Sequence, residues 1–87
     1  MNIENMKQIE RIQYMANLLD FVIETRKEQH INSEKSARIQ EALHILADYY
    51  GSKEWKQDFA DDEAGRLPKD LKRGVLSEDG IWNLLHS

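Results

Sequence analysis

The chain has 87 residues, a formal net charge of −4 and no cysteine. At 40% hydrophobic and 32% charged residues it is too apolar for a disordered chain and too charged for a membrane protein, and its length allows one small core. The lack of cysteine excludes disulfides, thiolate zinc sites and thiol catalysis. The first residues have acids among their bases and lack the central apolar stretch of a signal peptide, and no apolar run comes close to the ~20 residues of a membrane span. We therefore expect one cytoplasmic domain, residues 1–87.

Residues 3–29 are predicted to form a long helix, because apolar residues recur every three or four positions. The main apolar stripe is Ile9, Ile12, Ala16, Leu19 and Ile23, and it is widened by Met15, Leu18 and Val22. Charged residues, including Arg11, occupy the far face. For these we expect solvent exposure and helix-spaced ion pairs.

A second helix is predicted over residues 33–50, with Asn32 or Ser33 as its N-cap and Gly51 as its C-terminal stop. Its apolar stripe is Ile39, Leu43, Leu46 and Tyr50. The connection between the two long amphipathic helices is short, which indicates an antiparallel helical hairpin within residues 1–50.

Residues 51–87 are predicted to form short helices at about 53–63, 68–73 and 78–86, folded back over the hairpin. Ser52 caps the first, Pro68 takes the first helical position of the second, and Ser77 caps the third. Because no segment shows strand periodicity, the predicted fold class is all-α. The predicted core is Ile9, Ile12, Leu19, Ile23, Ile39, Leu43, Leu46, Tyr50, Trp55, Phe59, Leu67, Leu76, Ile81 and Leu84.

An acid block occupies the end of the third helix. Its members are Asp58, Asp61, Asp62 and Glu63. Three of these carboxylates fall on one side of the helix and could hold Mg²⁺ or Ca²⁺. The spacing is not that of an EF-hand loop, and no other element clearly supplies ligands. We therefore predict no metal and no cofactor, and expect the acids to pair with nearby cations or to be solvated.

A basic cluster follows the acid block. Its members are Arg66, Lys69, Lys72 and Arg73. These cations could bind an anion or an acidic partner. The preferred alternative is local, with Arg66 and Arg73 clamping acids at the junction of the turns. The acids within reach are Asp62, Glu63 and Glu78.

The aromatic residues and histidines carry no catalytic signature. Trp55 and Phe59, four apart on one helix face, are expected in the core, whereas Trp82 lies partly off its apolar face and could belong to a recognition patch. No spacing joins a serine, a histidine and an acid as a hydrolase requires. The sequence therefore predicts that the chain is not an enzyme.

One segment of the chain carries a specific pattern. Its residues are Tyr50, Ser52, Trp55, Asp58, Asp62, Glu63, Gly65, Leu67, Pro68, the run DLKRGVLSED from Asp70 to Asp79, Leu84 and Leu85. In these residues the chain resembles a family of small bacterial proteins catalogued as domain of unknown function 4298. The resemblance implies an all-helical fold and a bacterial or phage origin, and it implies no activity. Family members look as though the last helix continues past Leu85, so we expect Ser87 to end either a naturally short form or a trimmed chain.

The leading functional hypothesis is a non-enzymatic module that binds another, unidentified protein. The predicted interaction surface is Asp58, Asp61, Asp62, Glu63, Arg66, Lys69, Lys72, Arg73 and Trp82. On this hypothesis, charge reversal at Lys72 and Arg73 leaves the fold intact and removes the partner. Residues 1–50 and residues 51–87 each carry six Lys/Arg and eight Asp/Glu, so neither part is basic, which argues against direct nucleic-acid binding.

Two alternatives stay open at this point. The chain could be a phage-encoded inhibitor of a host nucleic-acid enzyme, of the anti-CRISPR type, whose acids occupy a groove built for phosphates. It could also be a structural homo-oligomer or homodimer, in which a second copy covers the part of the first helix that the short last helix leaves open.

Overall fold

The computed structural model describes residues 7–77 and 79–86. These residues form four α-helices and one short 3₁₀ helix, without strands, which confirms the all-α fold class. The elements are α1 (Gln8–Arg26), α2 (Ser33–Tyr50), α3 (Lys53–Glu63), the 3₁₀ helix (Gly74–Leu76) and α4 (Gly80–Leu85). Predictions for residues 3–6 and 78 lie outside the described residues.

The predicted bounds of α2 and α3 are confirmed, because both helices begin at polar caps. The Asn32 side chain accepts a hydrogen bond from the Lys35 N–H at 2.8 Å, and the Ser52 hydroxyl accepts one from the Trp55 N–H at 3.2 Å. Each bond satisfies a donor that the first helical turn leaves without a partner. Local side-chain chemistry therefore sets both starting points.

The first helix ends three residues earlier than predicted, at Arg26 rather than residue 29. Its last turn tightens, with the Lys27 N–H bonded to the Glu24 carbonyl and the Glu28 N–H bonded to the Thr25 carbonyl. Such bonds between residues three apart are common where a helix closes. With no glycine or proline at this point, the sequence has no punctuation that marks the end.

The helix predicted over residues 68–73 is wrong, since this segment forms a turn closed by the Leu71 N–H on the Pro68 carbonyl at 3.3 Å. The Arg73 guanidinium donates to the same carbonyl at 2.5 Å. In an α-helix that carbonyl would accept from the residue four further on. The turn instead lets both Leu67 and Leu71 enter the core, and helical structure resumes at Gly74.

The core lies between α1 and α2 and beneath the C-terminal segment. Its members are Ile12, Met15, Leu19, Val22, Ile39, Ala42, Leu46, Tyr49, Leu67, Leu71, Val75, Leu76, Ile81 and Leu84. Leu43, Tyr50 and Trp55 pack against this core half-buried, and Phe59 is half-buried. None of the described helices combines the length and hydropathy that a membrane span requires.

Two predicted core residues of α1 are in fact exposed, Ile9 at 42% and Ile23 at 38%. The buried arc of α1 is rotated toward Met15 and Val22, which are fully buried. The reason is that α1 packs against two neighbours, α2 on one side and the 3₁₀ helix on the other. The predicted core took its α1 members from the main stripe and left out Met15 and Val22 of the widened part, which lie at the centre of that contact.

Candidate functional site at the helix junction

The junction between α3 and the C-terminal segment is shaped by the way α3 ends. Gly65 adopts a left-handed φ of 71°, the Gly65 N–H bonds the Asp62 carbonyl at 3.0 Å, and the Arg66 N–H bonds the Asp61 carbonyl at 2.9 Å. This pair of bonds is the Schellman arrangement, in which glycine reverses the chain direction at low cost. The chain is thereby turned back from the acid-rich end of α3 toward the hairpin.

The first acid of the block, Asp58, is fully buried and lies beneath the surface on which the sequence placed it. Its carboxylate accepts from Arg11 Nε at 2.9 Å and Arg11 Nη2 at 2.5 Å. The Tyr49 hydroxyl and the Gln8 amide add bonds of 2.7 Å and 3.1 Å. A buried charge that is paired and hydrogen-bonded in this way joins α1, α2 and α3 at one end of the hairpin.

The solvent-exposed position predicted for Arg11 is wrong, because Arg11 is 7% exposed and faces Asp58. The bond to Asp58 raises the pKa of Arg11. Burial, followed by the bond to Asp58, raises the pKa of Tyr49, so the hydroxyl stays protonated and donates. A signal was present in the sequence: Arg11 precedes Met15 by four residues and Val22 by eleven, and so shares their helix face.

Asp61 is half-buried, and its carboxylate accepts hydrogen bonds from α1, from α3 itself and from the segment after α3. It accepts from the Gln8 amide at 2.6 Å, the Gln57 amide at 3.1 Å and Arg66 Nη1 at 3.1 Å. The bond from Gln8 is the main reason that the pKa of Asp61 lies below its usual range, with smaller contributions from Gln57 and Arg66. The predicted clamp by Arg66 exists, although it holds Asp61 rather than the acids expected.

The predicted clamp by Arg73 is confirmed, since its guanidinium forms an ion pair with the Asp62 carboxylate. Trp55 adds a second tie across the junction, its indole N–H donating to the Val75 carbonyl at 2.8 Å. The Trp55 ring also stacks on Phe59, with centroids 5.1 Å apart. These contacts fix the 3₁₀ helix against α3, so the junction has a defined shape.

Three members of the predicted surface lie elsewhere. Lys72 bonds Asp20 of α1 at 2.7 Å on an exposed part of the hairpin. Lys69 is exposed and makes no ion pair or hydrogen bond with the described residues. Trp82 is 50% exposed on α4, with its ring 4.4 Å from that of His86. The structure therefore does not gather all nine predicted residues into one patch.

A cleft of about 550 Å³ lies at the junction and includes three of the predicted residues. It is lined by Phe59, Asp62, Glu63, Arg73, Leu76, Ser77 and Asp79, and we call it the junction cleft. Three acids face one arginine here, so the lining is net negative. The Glu63 and Asp79 side chains are exposed and make no hydrogen bond or ion pair with any described residue.

The sequence placed the surface in the junction from Asp58 to Asp79, but its list of individual surface residues omitted Phe59, Ser77 and Asp79. Ser77 shapes it as expected of a cap, since its hydroxyl accepts from the Gly80 N–H at 2.9 Å. Gly80 packs so closely that an added Cβ would lie 2.4 Å from the Gly74 carbonyl oxygen. This close approach brings the start of α4, with Asp79, beside the 3₁₀ helix and completes the cleft.

The chemistry of the junction cleft suits an organic cation. Phe59 and Leu76 provide apolar surface, and the two free carboxylates provide acceptors for a charged head group. Among the described residues no group of three or more histidine, aspartate or glutamate side chains is placed to hold a metal ion. A lysine or arginine side chain, with an apolar stem and a cationic head, matches this combination.

Comparison with known proteins yields one match. The model of a family described as "Domain of unknown function (DUF4298)" matches residues 12–87. This match includes most of the helical hairpin as well as the C-terminal segment. No curated protein and no solved structure matches the chain.

Proposed function

The chain belongs to the DUF4298 family, a domain of unknown function. We propose that it is a non-enzymatic module, encoded by a bacterium or its phage, that binds another protein in the bacterial cytoplasm. The observation that carries this proposal is the junction cleft. There, two carboxylates that make no contact with any described residue stand beside apolar surface, on a frame that is held by its own ion pair and hydrogen bonds.

The difference between committed and free acids supports a binding role. Asp58, Asp61 and Asp62 each hold a cation or amide of this chain, and they stabilise the junction. Glu63 and Asp79 contribute no such contact within the described residues. Two exposed like charges at one cleft add repulsion to the free chain, which a cationic partner would remove.

The contacts that join the two walls of the cleft also favour recognition. One wall is the end of α3 and the other is the 3₁₀ helix with the start of α4, and Arg73 and Trp55 tie the two walls together. A surface that is ordered before binding loses less conformational entropy when the partner arrives. The partner we propose is a protein segment that presents a lysine or arginine side chain.

Phosphate mimicry by the acid block receives less support. Of its four members, one is buried and two are engaged in contacts within the chain, and Glu63 is the member that makes no ion pair or hydrogen bond with a described residue. An inhibitor that fills a phosphate groove needs a row of exposed acids. Binding of a cationic side chain in the junction cleft is therefore better supported than an anti-CRISPR role.

The test is a pull-down from nuclease-treated bacterial lysate with three tagged proteins: wild type, the double variant Glu63→Lys/Asp79→Lys, and Asp48→Lys. Asp48 is an exposed acid near the end of α2, outside the cleft, and serves as a charge-reversal control with half the charge change of the double variant. We expect wild type and Asp48→Lys to retain the same partner at moderate salt and the double variant to lose it. A partner that all three proteins retain equally would place the binding surface elsewhere and refute the proposal.

A further inference from the structure

A second depression lies on the helical hairpin, away from the junction. It has a volume of about 360 Å³ and is lined only by residues of α1 and α2. The lining residues are Tyr14, Leu18, Phe21, Arg38, Glu41, Ala42 and Ile45, and we call it the hairpin groove. None of them lines the junction cleft, so the two surfaces are independent.

The hairpin groove faces away from the C-terminal segment. That segment approaches α1 at Leu19, whose Cδ2 would lie 3.2 Å from a Cβ added at Gly74, and at Asp20, which binds Lys72. Leu18 and Phe21 of the groove project from another side of α1, because successive helical residues are rotated by about 100°. On the α1 side the described C-terminal segment therefore lies away from the groove, and none of its residues lines the groove.

The floor of the groove has the composition of an interface centre. Tyr14, Leu18, Phe21 and Ile45 are only half-buried although they pack against the core. Aromatic and aliphatic side chains of this kind are enriched at the centres of protein interfaces, and charged ones are depleted there. Covering them would remove apolar surface from water on a domain that is too small to have much core of its own.

The charged residues of the groove indicate what covers it. Arg38 and Glu41 carry opposite charges and lie three residues apart on α2, about 4.5 Å along the helix axis. A two-fold contact requires a patch that is complementary to itself. When two copies of α2 run antiparallel across such an axis, Arg38 of each copy comes next to Glu41 of the other.

The bond that Arg38 already makes to Glu34 does not prevent it from pairing with Glu41 of a second copy. Arg38 donates to Glu34 at 2.9 Å, with the two side chains 66% and 72% exposed. An exposed ion pair of this kind contributes little and exchanges readily with solvent. A guanidinium also has more donors than one carboxylate uses, so Arg38 can contact a second acid without losing the first.

We propose that the hairpin groove is a homodimer interface, in which the groove of one copy packs on the groove of a second and Arg38 of each pairs with Glu41 of the other. The dimer leaves both junction cleft surfaces open. Tests of the dimer and tests of the binding function proposed above can therefore succeed or fail independently.

The first test is the solution mass by sedimentation or light scattering. We expect wild type to reach twice the chain mass of 10.2 kDa as concentration rises, and Leu18→Glu and Ile45→Glu to stay at 10.2 kDa. Circular dichroism checks that these variants keep their helical signal. A wild type that stays monomeric at its highest soluble concentration would overturn the proposal and leave the groove to another partner.

The second test separates this interface from any other self-association. Arg38→Glu places acid against acid in the dimer, and Glu41→Arg places base against base, so we expect each single variant to be monomeric. Mixed together they restore both pairs across the axis, and we expect a heterodimer to form. Gln40→Lys changes an exposed residue that is rotated by about 100° from Glu41 around α2, and this variant should dimerise like wild type. Single variants that dimerise like wild type, or a mixture that stays monomeric, would overturn the proposed arrangement.

Discussion

Two carboxylates of α3, only five residues apart, have different roles in this protein. Asp58 is fully buried beneath Arg11, Tyr49 and Gln8, and it holds three helices together. Glu63 stands exposed in the junction cleft with no partner among the described residues. Residue type and position within a charged run do not distinguish them. The difference is that the fold places Arg11 beside Asp58, whereas it pairs Glu63 with no cation among the described residues.

The largest expected effect comes from breaking the buried pair. Replacing Arg11 with methionine leaves the Asp58 charge buried and unpaired, which typically costs about 3–5 kcal/mol. Replacing both residues, Arg11→Met with Asp58→Leu, should recover much of that loss because no charge stays buried. Urea denaturation followed by circular dichroism measures both. Equal stability of Arg11→Met and wild type would show that the pair is not structural.

A second effect concerns the frame of the cleft. Gly80→Ala would place a Cβ 2.4 Å from the Gly74 carbonyl oxygen, so α4 must shift, at a cost of about 1–3 kcal/mol. Gly51→Ala is the matched control, because its nearest neighbour is 3.8 Å away and its φ is −89°. We expect that control to be neutral or slightly stabilising. Equal thermal midpoints for the two variants would contradict the close packing described here.

Arg73 and Lys72, which the sequence places in one surface, should differ in their effects on folding stability. Arg73→Glu removes the bond to the Pro68 carbonyl and sets a second acid beside Asp62, so we expect a loss of about 1–3 kcal/mol. Lys72→Glu breaks only the exposed pair with Asp20, so we expect a loss of about 0–1 kcal/mol. Chemical denaturation of the two single variants makes the comparison. A larger loss for Lys72→Glu would reverse this assignment.

The smallest effect is the acid dependence that Asp61 contributes. Its pKa in the folded chain lies below the ordinary 3.8, chiefly because Gln8 donates to it. Stability from this group is therefore fully present above that value and is lost as the pH falls through the lowered pKa. Asp61→Asn should lower the stability slightly at neutral pH and flatten the acid end of the stability curve, so that variant and wild type converge at low pH. An unchanged acid limb in this variant would show that Asp61 does not contribute.

The parts of the fold that depend on local chemistry were predictable. The bounds of α2 and α3 follow from Asn32 and Ser52, and the reversal after α3 follows from Gly65. The conformation of residues 68–73 could not be predicted in this way, because a proline in the first helical position is equally compatible with a single turn. There the burial of Leu67 and Leu71 and the bond from Arg73 decided the outcome.

The candidate site was predictable only as a region. The acid and basic runs pointed to the junction, and Arg73 was expected to clamp Asp62. The partnership of Arg11 with Asp58 joins residues 47 apart in the chain, and no local pattern indicates it. The cleft likewise depends on Asp79 approaching α3 through the close packing of Gly80, which only the assembled fold shows.

The proposed binding role turns on whether the junction cleft selects a cationic side chain over the rest of the acidic surface. The most direct measurement is a nuclear magnetic resonance titration of the labelled chain with a short peptide that contains lysine and arginine. We predict saturable shifts at the amides of Phe59, Glu63, Ser77 and Asp79, and none at Asp48. Shifts spread evenly over all exposed acids would show only general electrostatic attraction, and would contradict the account.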